Sequence, residues 1–261
     1  MTPAAYVVSS GQLWFAASRK TVKVKAIRRN PRVSVLVSSA DRGLILAGRA
    51  EIVSAWGLAD VTNLVGSAVQ TGVAATSFAL RHLGMLARST VDFVGDLSLP
   101  IDRVLIRMQP SRGIILDGDL VTGRWGRWQP SSNLPQVAIE PVTKIPIKGV
   151  PRRAARALKE HRSCAVGWEL PWGALVMPGR MRAGGSAVDV PAEIMRLGAA
   201  DSRSRVCVTL DRGSDRAGKF AGIVVRGDGT VTRRAGEALR IGLTTDRISW
   251  WSGFKTGTVW R

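Results

Sequence analysis

Cysteine and histidine are scarce in this chain of 261 residues, and their scarcity excludes several kinds of chemistry. Cys164 and Cys207 lie inside apolar stretches, so we expect both to be reduced, buried and structural. A structural zinc ion normally needs four ligands, and the spacing of His161 and Cys164 has no second pair to complete such a site. The only other histidine is His82, and neither histidine is tied by sequence to a Ser or Cys nucleophile. This pattern argues against serine or cysteine hydrolase chemistry.

Two other sequence signals are also missing. No glycine-rich strand–turn–helix of the dinucleotide-binding kind occurs, and the RGDG segment at Arg226–Gly229 is predicted to be a tight hairpin turn. The amino-terminal residues lack the charged and then apolar segments of a secretion signal. We therefore expect a cytoplasmic protein.

Acidic residues are outnumbered two to one, because 38 Lys and Arg face 19 Asp and Glu and give a net charge of +19. Most of the cations are arginines, and alanine, glycine and valine are abundant, a bias that resembles GC-rich actinobacterial proteomes. A strongly basic protein attracts anions such as phosphates, nucleic acid or acidic lipid. The charge is spread along the whole chain, so a nucleic-acid interface is the less favoured interpretation.

The order of predicted elements repeats within the chain. Residues 32–53 and residues 205–231 each have the pattern of a strand, a loop and a strand. Ile101–Asp117 and Leu239–Gly253 each have the pattern of a strand, a polar turn and a strand. We therefore predict a mainly β fold with helices (α+β), in which two tandem copies of one barrel form a pseudo-dimer.

A proline-rich stretch separates the two copies and blocks regular structure. We predict a first domain over 1–125, a linker over 126–151 and a second domain over 152–261, opened by a helix at Arg152–His161. The chain starts with what resembles the second strand of a barrel hairpin, so the first copy is predicted to lack its opening strand. The linker prolines are Pro130, Pro135, Pro141, Pro146 and Pro151.

The segment 57–97 is predicted to be a helical insertion in the first domain. Its Leu and Val recur at three- and four-residue spacings among many small residues. Val61–Leu80 carries no charge, which raises the question of a membrane span. Its polar residues are too numerous for a lipid-facing helix, so we favour a buried helix pair that covers the barrel or lines an apolar channel.

The stretch Leu13–Val53 carries a family resemblance. An apolar strand containing Trp14, Phe15 and Ala16 leads to a basic segment and then to an alternating strand. This resembles the split-barrel flavin and deazaflavin proteins related to pyridoxamine 5'-phosphate oxidase. Their motif K-x-x-x-(L/I)-R-R-(D/N)-P-R-(V/A)-S-(V/L) corresponds here to Lys23, Ile27, Arg28, Arg29, Asn30, Pro31, Arg32, Val33, Ser34 and Val35.

The resemblance implies a phosphate-bearing cofactor, FMN or coenzyme F-420 (8-hydroxy-5-deazaflavin). By the resemblance, Lys23 is at the phosphate-binding position and Thr21 fits as a hydroxyl donor to the same phosphate. Lys and Arg form charge-assisted hydrogen bonds with phosphate, so Arg19 and Arg28 are further candidates, with Ser18 as an additional donor.

The carboxyl-terminal residues supply two more candidates. Lys255 and Thr256 lie in a glycine-containing segment predicted to be a turn that presents amides and hydroxyls to an anion. The second copy has no equivalent of Lys23, so its phosphate site is predicted to be lost. Among nine tryptophans, Trp172 and Trp250 are the alternatives to simple packing, as walls of a cofactor ring.

Two classes of function follow. The first is an oxidoreductase that holds FMN or F-420 between tandem barrels and passes a hydride to a small apolar substrate, with further pairing into a homodimer possible. In the resembling family the cofactor performs the redox step, so few acid–base residues are expected. The second is a non-catalytic binder of a flavin, haem or apolar ligand, or a structural partner, on the same fold.

Overall fold

The computed structural model describes most of the chain outside the helical insertion and the linker. The segment 57–97 lies outside the described residues, and so does most of 126–151. The described residues are 4, 6–39, 41–53, 103–130, 137, 145, 147–160, 163–182, 185–198, 201–212, 221–236, 238–252 and 255–260.

Strands dominate the described residues, which confirms the prediction of a mainly β fold. The predicted helix at Arg152 is confirmed and ends at Glu160. The helices are α1 Val22–Arg29, α2 Arg152–Glu160 and α3 Ala192–Leu197. The strands are β1 Val7–Ser9, β2 Gln12–Ser18, β3 Arg32–Ser39, β4 Arg42–Val53, β5 Arg103–Asp117, β6 Leu120–Trp125, β7 Ser163–Leu170, β8 Gly173–Met181, β9 Ala187–Pro191, β10 Arg203–Arg212, β11 Ala221–Ala235, β12 Ala238–Ser252 and β13 Lys255–Trp260.

The chain forms two compact units. The larger unit comprises Met1–Thr2, Ser34–Leu46 and Arg112–Arg261, and the smaller unit comprises Pro3–Val33 and Ala47–Ser111. The sequence-based domains, 1–125 and 152–261, stay a prediction.

The first sheet has the strand order β1-β2-β5-β4-β3, with β6 paired to β5. In the smaller unit, the register of β2 with β5 aligns Phe15 with Ile106 and Ala17 with Val104. Side chains alternate along a strand, so these four residues share one face of the sheet. The opposite face carries a separate apolar cluster that includes Trp14 and Val7.

The second sheet closes on itself. Its order is β11-β10-β7-β8-β9-β12-β13, and β11 also pairs with β12. Six strands therefore form a ring of antiparallel pairs, and β13 is added at one side. The interior of this ring is apolar and fully buried around Trp168, Leu175, Met177 and Ile241. A closed ring of this kind leaves none of its six members with an unpaired edge.

Two equivalent glycines, Gly48 and Gly227, show that the two halves of the chain share one pattern. Gly48 is the seventh residue of β4, and Gly227 is the seventh residue of β11. A Cβ atom on Gly48 would overlap the carbonyl oxygen of Gln109, and one on Gly227 would overlap that of Thr244. Gln109 and Thr244 are in turn the seventh residues of β5 and β12. Only glycine allows backbones to approach this closely, so both halves impose the same requirement at the same place.

The neighbouring registers agree with this correspondence. Leu116 pairs with Val121 in the β5–β6 hairpin, and Trp251 pairs with Thr256 in the β12–β13 hairpin. Each is the fourteenth residue of its long strand, paired with the second residue of the next strand. Each hairpin has a two-residue connection that begins with glycine.

Three of the predicted turns are wrong. RGDG at Arg226–Gly229 lies within β11, where Gly227 is at a register shift opposite β12. Ile101–Asp117 and Leu239–Gly253 were expected to turn halfway, but the described residues form single fifteen-residue strands. Glycine, proline and polar residues in these segments mark close backbone approach and bulges rather than chain reversal. The strands predicted within 32–53 and 205–231 are confirmed as β3, β4, β10 and β11.

Within the described ranges, no helix is long and apolar enough to cross a bilayer.

The glycine contact can be tested with a matched pair of substitutions. We expect Gly227→Ala to lower the free energy of unfolding by about 1–3 kcal/mol, because the new methyl group meets backbone that cannot yield. The control is Gly167→Ala, another strand glycine, where the nearest atoms to a new Cβ lie 3.7 and 3.8 Å away. Urea unfolding measures both, and equal stabilities for the two variants would show that the close approach is not required.

A candidate anion-binding site

Helix α1 is a short amphipathic helix with a well-defined start. The Thr21 hydroxyl accepts a hydrogen bond from the Val24 amide (3.5 Å) and donates one to the Ser18 carbonyl (2.8 Å). Threonine is a favourable N-cap because it satisfies an otherwise unpaired amide of the first turn. The helix ends at Arg29, before Asn30 and Pro31, and buries Val24 and Ile27.

Arg28 of α1 and Arg19, which precedes the helix, line a cleft in the smaller unit. The cleft has a volume of about 360 Å³ and is open to solvent. Arg19 and Arg28 are both exposed to solvent. The lining residues are Arg19, Ile27, Arg28, Ala50, Ile52 and Val104. An apolar floor with guanidinium groups at its edge suits a flat ligand that carries a negative charge.

Lys23 is a third cation on this side of the sheet. Its Nζ atom lies 5.9 Å from the centroid of the Phe15 ring, and Phe15 shares the sheet face that carries Val104. No carboxylate of the described residues forms an ion pair with Lys23. Burial lowers the pKa of the Lys23 ammonium from its ordinary value, because desolvation penalises the charged form.

The structure brings together only some of the predicted site residues. Arg19 and Arg28 both line the cleft, as a common phosphate site requires. Lys23 lies on the same sheet face but is not among the lining residues. Thr21 is occupied as the helix cap, and the Ser18 hydroxyl accepts a hydrogen bond from the Lys20 amide (3.4 Å).

The expected carboxyl-terminal turn is wrong from Lys255 onward. Lys255 and Thr256 begin strand β13, where they pair with Ser252 and Trp251 of β12. Both side chains are exposed, and they belong to the larger unit. The glycine that suggested a turn, Gly257, instead makes room for the Trp250 ring. A role of Lys255 and Thr256 in binding an anion stays a prediction.

Three lining residues were not found from the sequence. Ala50, Ile52 and Val104 are ordinary strand residues, and they lie far from α1 along the chain. Nothing in their spacing marks them, since only the pairing of strands brings β4 and β5 under the helix.

The tryptophans proposed as ring walls take part in packing. Trp172 stacks on the Arg112 guanidinium at 3.8 Å and meets Trp128 edge-on, with ring centroids 6.4 Å apart. Burial lowers the pKa of Arg112 from its ordinary value. Cation–π stacking of this kind offsets part of the desolvation cost.

The other charged clusters are cross-strand pairs. Arg240 contacts both carboxylate oxygens of Asp189, at 2.8 and 3.3 Å. Arg205 bridges Asp228 and Asp246, and hydrogen bonds to these carboxylates raise its pKa. Such pairs stabilise strand register. The described residues contain no group of three or more His, Cys, Asp or Glu placed to hold a metal ion.

Comparison with solved structures yields loose likenesses at low sequence identity. No protein-family model and no curated protein matches the chain. A haem-binding protein from Mycobacterium smegmatis is 14% identical with a TM-score of 0.34, and the alignment covers 42% of this chain and 58% of that chain. A second solved structure is 13% identical with a TM-score of 0.33, over 41% of this chain and 89% of that chain. At these scores, neither likeness assigns a fold or a ligand.

The buried charge of Lys23 has a measurable consequence. We expect Lys23→Met to raise the free energy of unfolding at neutral pH, because methionine keeps the apolar stem over Phe15 and removes the desolvated charge. The control Lys25→Met changes an exposed residue of the same helix and should stay within about 0.5 kcal/mol of the wild type.

The pH dependence of the same variants has a definite sign. Between the lowered pKa of folded Lys23 and the ordinary lysine value of about 10.4, the unfolded chain binds more protons than the folded chain. Wild-type stability relative to Lys23→Met should therefore rise with pH across that window. A difference independent of pH, measured by urea unfolding from pH 7 to 10.5, would contradict the assignment.

Proposed function

We propose that the protein binds a phosphate-bearing cofactor of the flavin type, FMN or F-420, in the α1 cleft and acts as an oxidoreductase. The observation that carries this proposal is the apolar cleft lined by Arg19 and Arg28, with Lys23 on the same sheet face and in no ion pair with a carboxylate of the described residues. Cationic side chains beside an apolar floor stabilise a ligand that has both a ring and an anionic group.

The roles of the residues follow from their places. Ala50, Ile52 and Val104 would contact the ring through apolar surface, and burial of that surface would stabilise the complex. Arg28 and Arg19 would donate charge-assisted hydrogen bonds to the phosphate. Lys23 would add positive potential from the same sheet face. Thr21 would support the site by starting α1 rather than by contacting the phosphate.

The bound cofactor would supply the hydride chemistry, and the chain would orient it and shield it from water. A small apolar substrate would accept the hydride. We further propose a cytoplasmic location, a tandem arrangement of two barrels forming a pseudo-dimer, and possible pairing of chains into a homodimer. The shared glycine positions and hairpin registers of the two halves support the tandem arrangement.

A non-catalytic binder of a flavin, haem or apolar ligand is the alternative. The cleft lining supports it, because none of its six residues is an acid or base that titrates near neutral pH. The same lining favours a flavin over haem, since it offers no imidazole, thiol or thioether as an axial ligand.

The binding proposal is tested by fluorescence titration of the purified chain with FMN and with F-420. We expect Arg28→Gln to weaken binding roughly 10- to 150-fold, which corresponds to the loss of one charge-assisted hydrogen bond of about 1.5–3 kcal/mol. The control Arg29→Gln makes the same change at the next residue, which is exposed and does not line the cleft.

Equal weakening by the two variants would mean that general charge, rather than the cleft, holds the ligand. Absence of binding of either cofactor to the wild type would refute the proposal. A salt titration tests the alternative that the chain binds nucleic acid, because the affinity of a protein for nucleic acid falls steeply with added salt.

Turnover distinguishes the oxidoreductase from the binder. Under anaerobic conditions, the reduced bound cofactor should transfer two electrons to menadione, an apolar quinone acceptor, faster than the same cofactor free in solution. A rate no faster than that of the free cofactor would favour the non-catalytic alternative.

A further inference from the structure

The two halves of the chain differ in what fills the space beside one equivalent position. In the second half, the space at Gly229 is filled by Trp168, because a Cβ atom on Gly229 would lie 2.9 Å from the indole ring. The same hypothetical atom would lie 3.0 Å from Ile241 and 3.1 Å from Val206. Trp168 comes from β7 and is fully buried. The second ring is therefore packed solid at this point.

The first-half equivalent of Gly229 is Ala50. Both lie two residues after the close-contact glycines, Gly48 and Gly227. The Ala50 amide donates to the Pro31 carbonyl at 2.8 Å, which matches the pairing of Gly229 with Ser204 in the second half. The correspondence of the two halves thus holds at this position in both sequence and register.

The first sheet differs from the second in its number of strands. In its described residues, β1 and β3 are the two ends of the order β1-β2-β5-β4-β3, whereas β7 joins the corresponding strands β8 and β10. No counterpart of β7, and hence none of the Trp168 ring, is present in that sheet as described. Ala50 lines an open cleft instead.

We infer that the ligand's ring occupies, in the first half, the place that the Trp168 indole occupies in the second. This rests on the proposed function and deepens it, since it names a planar aromatic anion of at least indole size as the ligand class. The anionic group would reach Arg19 and Arg28 at the rim.

One ligand per chain follows from the same comparison. The second-half equivalent of Ile52 is Val231, which is fully buried, whereas Ile52 is half-buried. Helix α3, which follows β9 as α1 follows β2, buries Ile194 and Met195 and offers no counterpart of Lys23. The second half keeps the architecture and fills its site with its own side chains.

The test uses 8-anilinonaphthalene-1-sulfonate, a fluorescent aromatic anion, as a probe independent of any flavin. We expect one probe per chain in the wild type and at least tenfold weaker binding in Ala50→Trp, because the new indole fills the cleft. The control Ala26→Trp makes the same change at an exposed position of α1 and should keep wild-type affinity.

Folding of each variant is checked by circular dichroism and thermal unfolding. If Ala50→Trp does not fold, Ala50→Leu fills part of the same space and should weaken the probe to a smaller extent. Unchanged probe affinity in a folded Ala50 variant, two probes per chain, or no binding to the wild type would overturn the inference.

Parallel titration with FMN separates the two proposals. Probe binding that depends on Ala50, without FMN binding, would keep the aromatic-anion site and reject the flavin assignment. FMN binding that Ala50→Trp leaves unchanged would keep the flavin assignment and reject the ring position.

Discussion

The close approach of two backbones at Gly48 and at Gly227 is the constraint on which the rest of the structure depends. At each place, a strand of twelve or fifteen residues passes so near its neighbour that a side chain cannot fit. This contact fixes the register of the paired strands, and the register decides which residues share a sheet face. Ala50, Ile52 and Val104 share the cleft for this reason.

The shared register has a different consequence in each half of the chain. In the second half, a complete ring of strands encloses Trp168, Met177 and Leu175, which are all fully buried. In the first half, the corresponding face is covered by α1, whose Lys23 is a poor core residue. A charge that is partly desolvated costs free energy, so its retention is consistent with a role toward an anion. The first half would thus bind the ligand, and the second half would form a packed core.

Several features followed from local sequence alone. Asn30-Pro31 ends α1 because proline disfavours helix at the preceding residue, and the alternation after Arg32 predicts β3. The basic segment around Arg28 and the helix at Arg152 were also identified from composition and spacing. The predicted turns failed where glycine and proline have another use. Gly227 permits the close approach of two backbones, and Gly257 makes room for the indole ring of Trp250.

By itself, the sequence determined the mainly β character, the cationic segment from Arg19 to Arg32 and the repeated order of elements, because these depend on local pattern and composition. Only the tertiary structure decided that Arg19 and Arg28 meet at one cleft with Ala50, Ile52 and Val104. This outcome depends on strand pairing between residues far apart in the chain. No local spacing encodes which distant strand supplies the floor of a site.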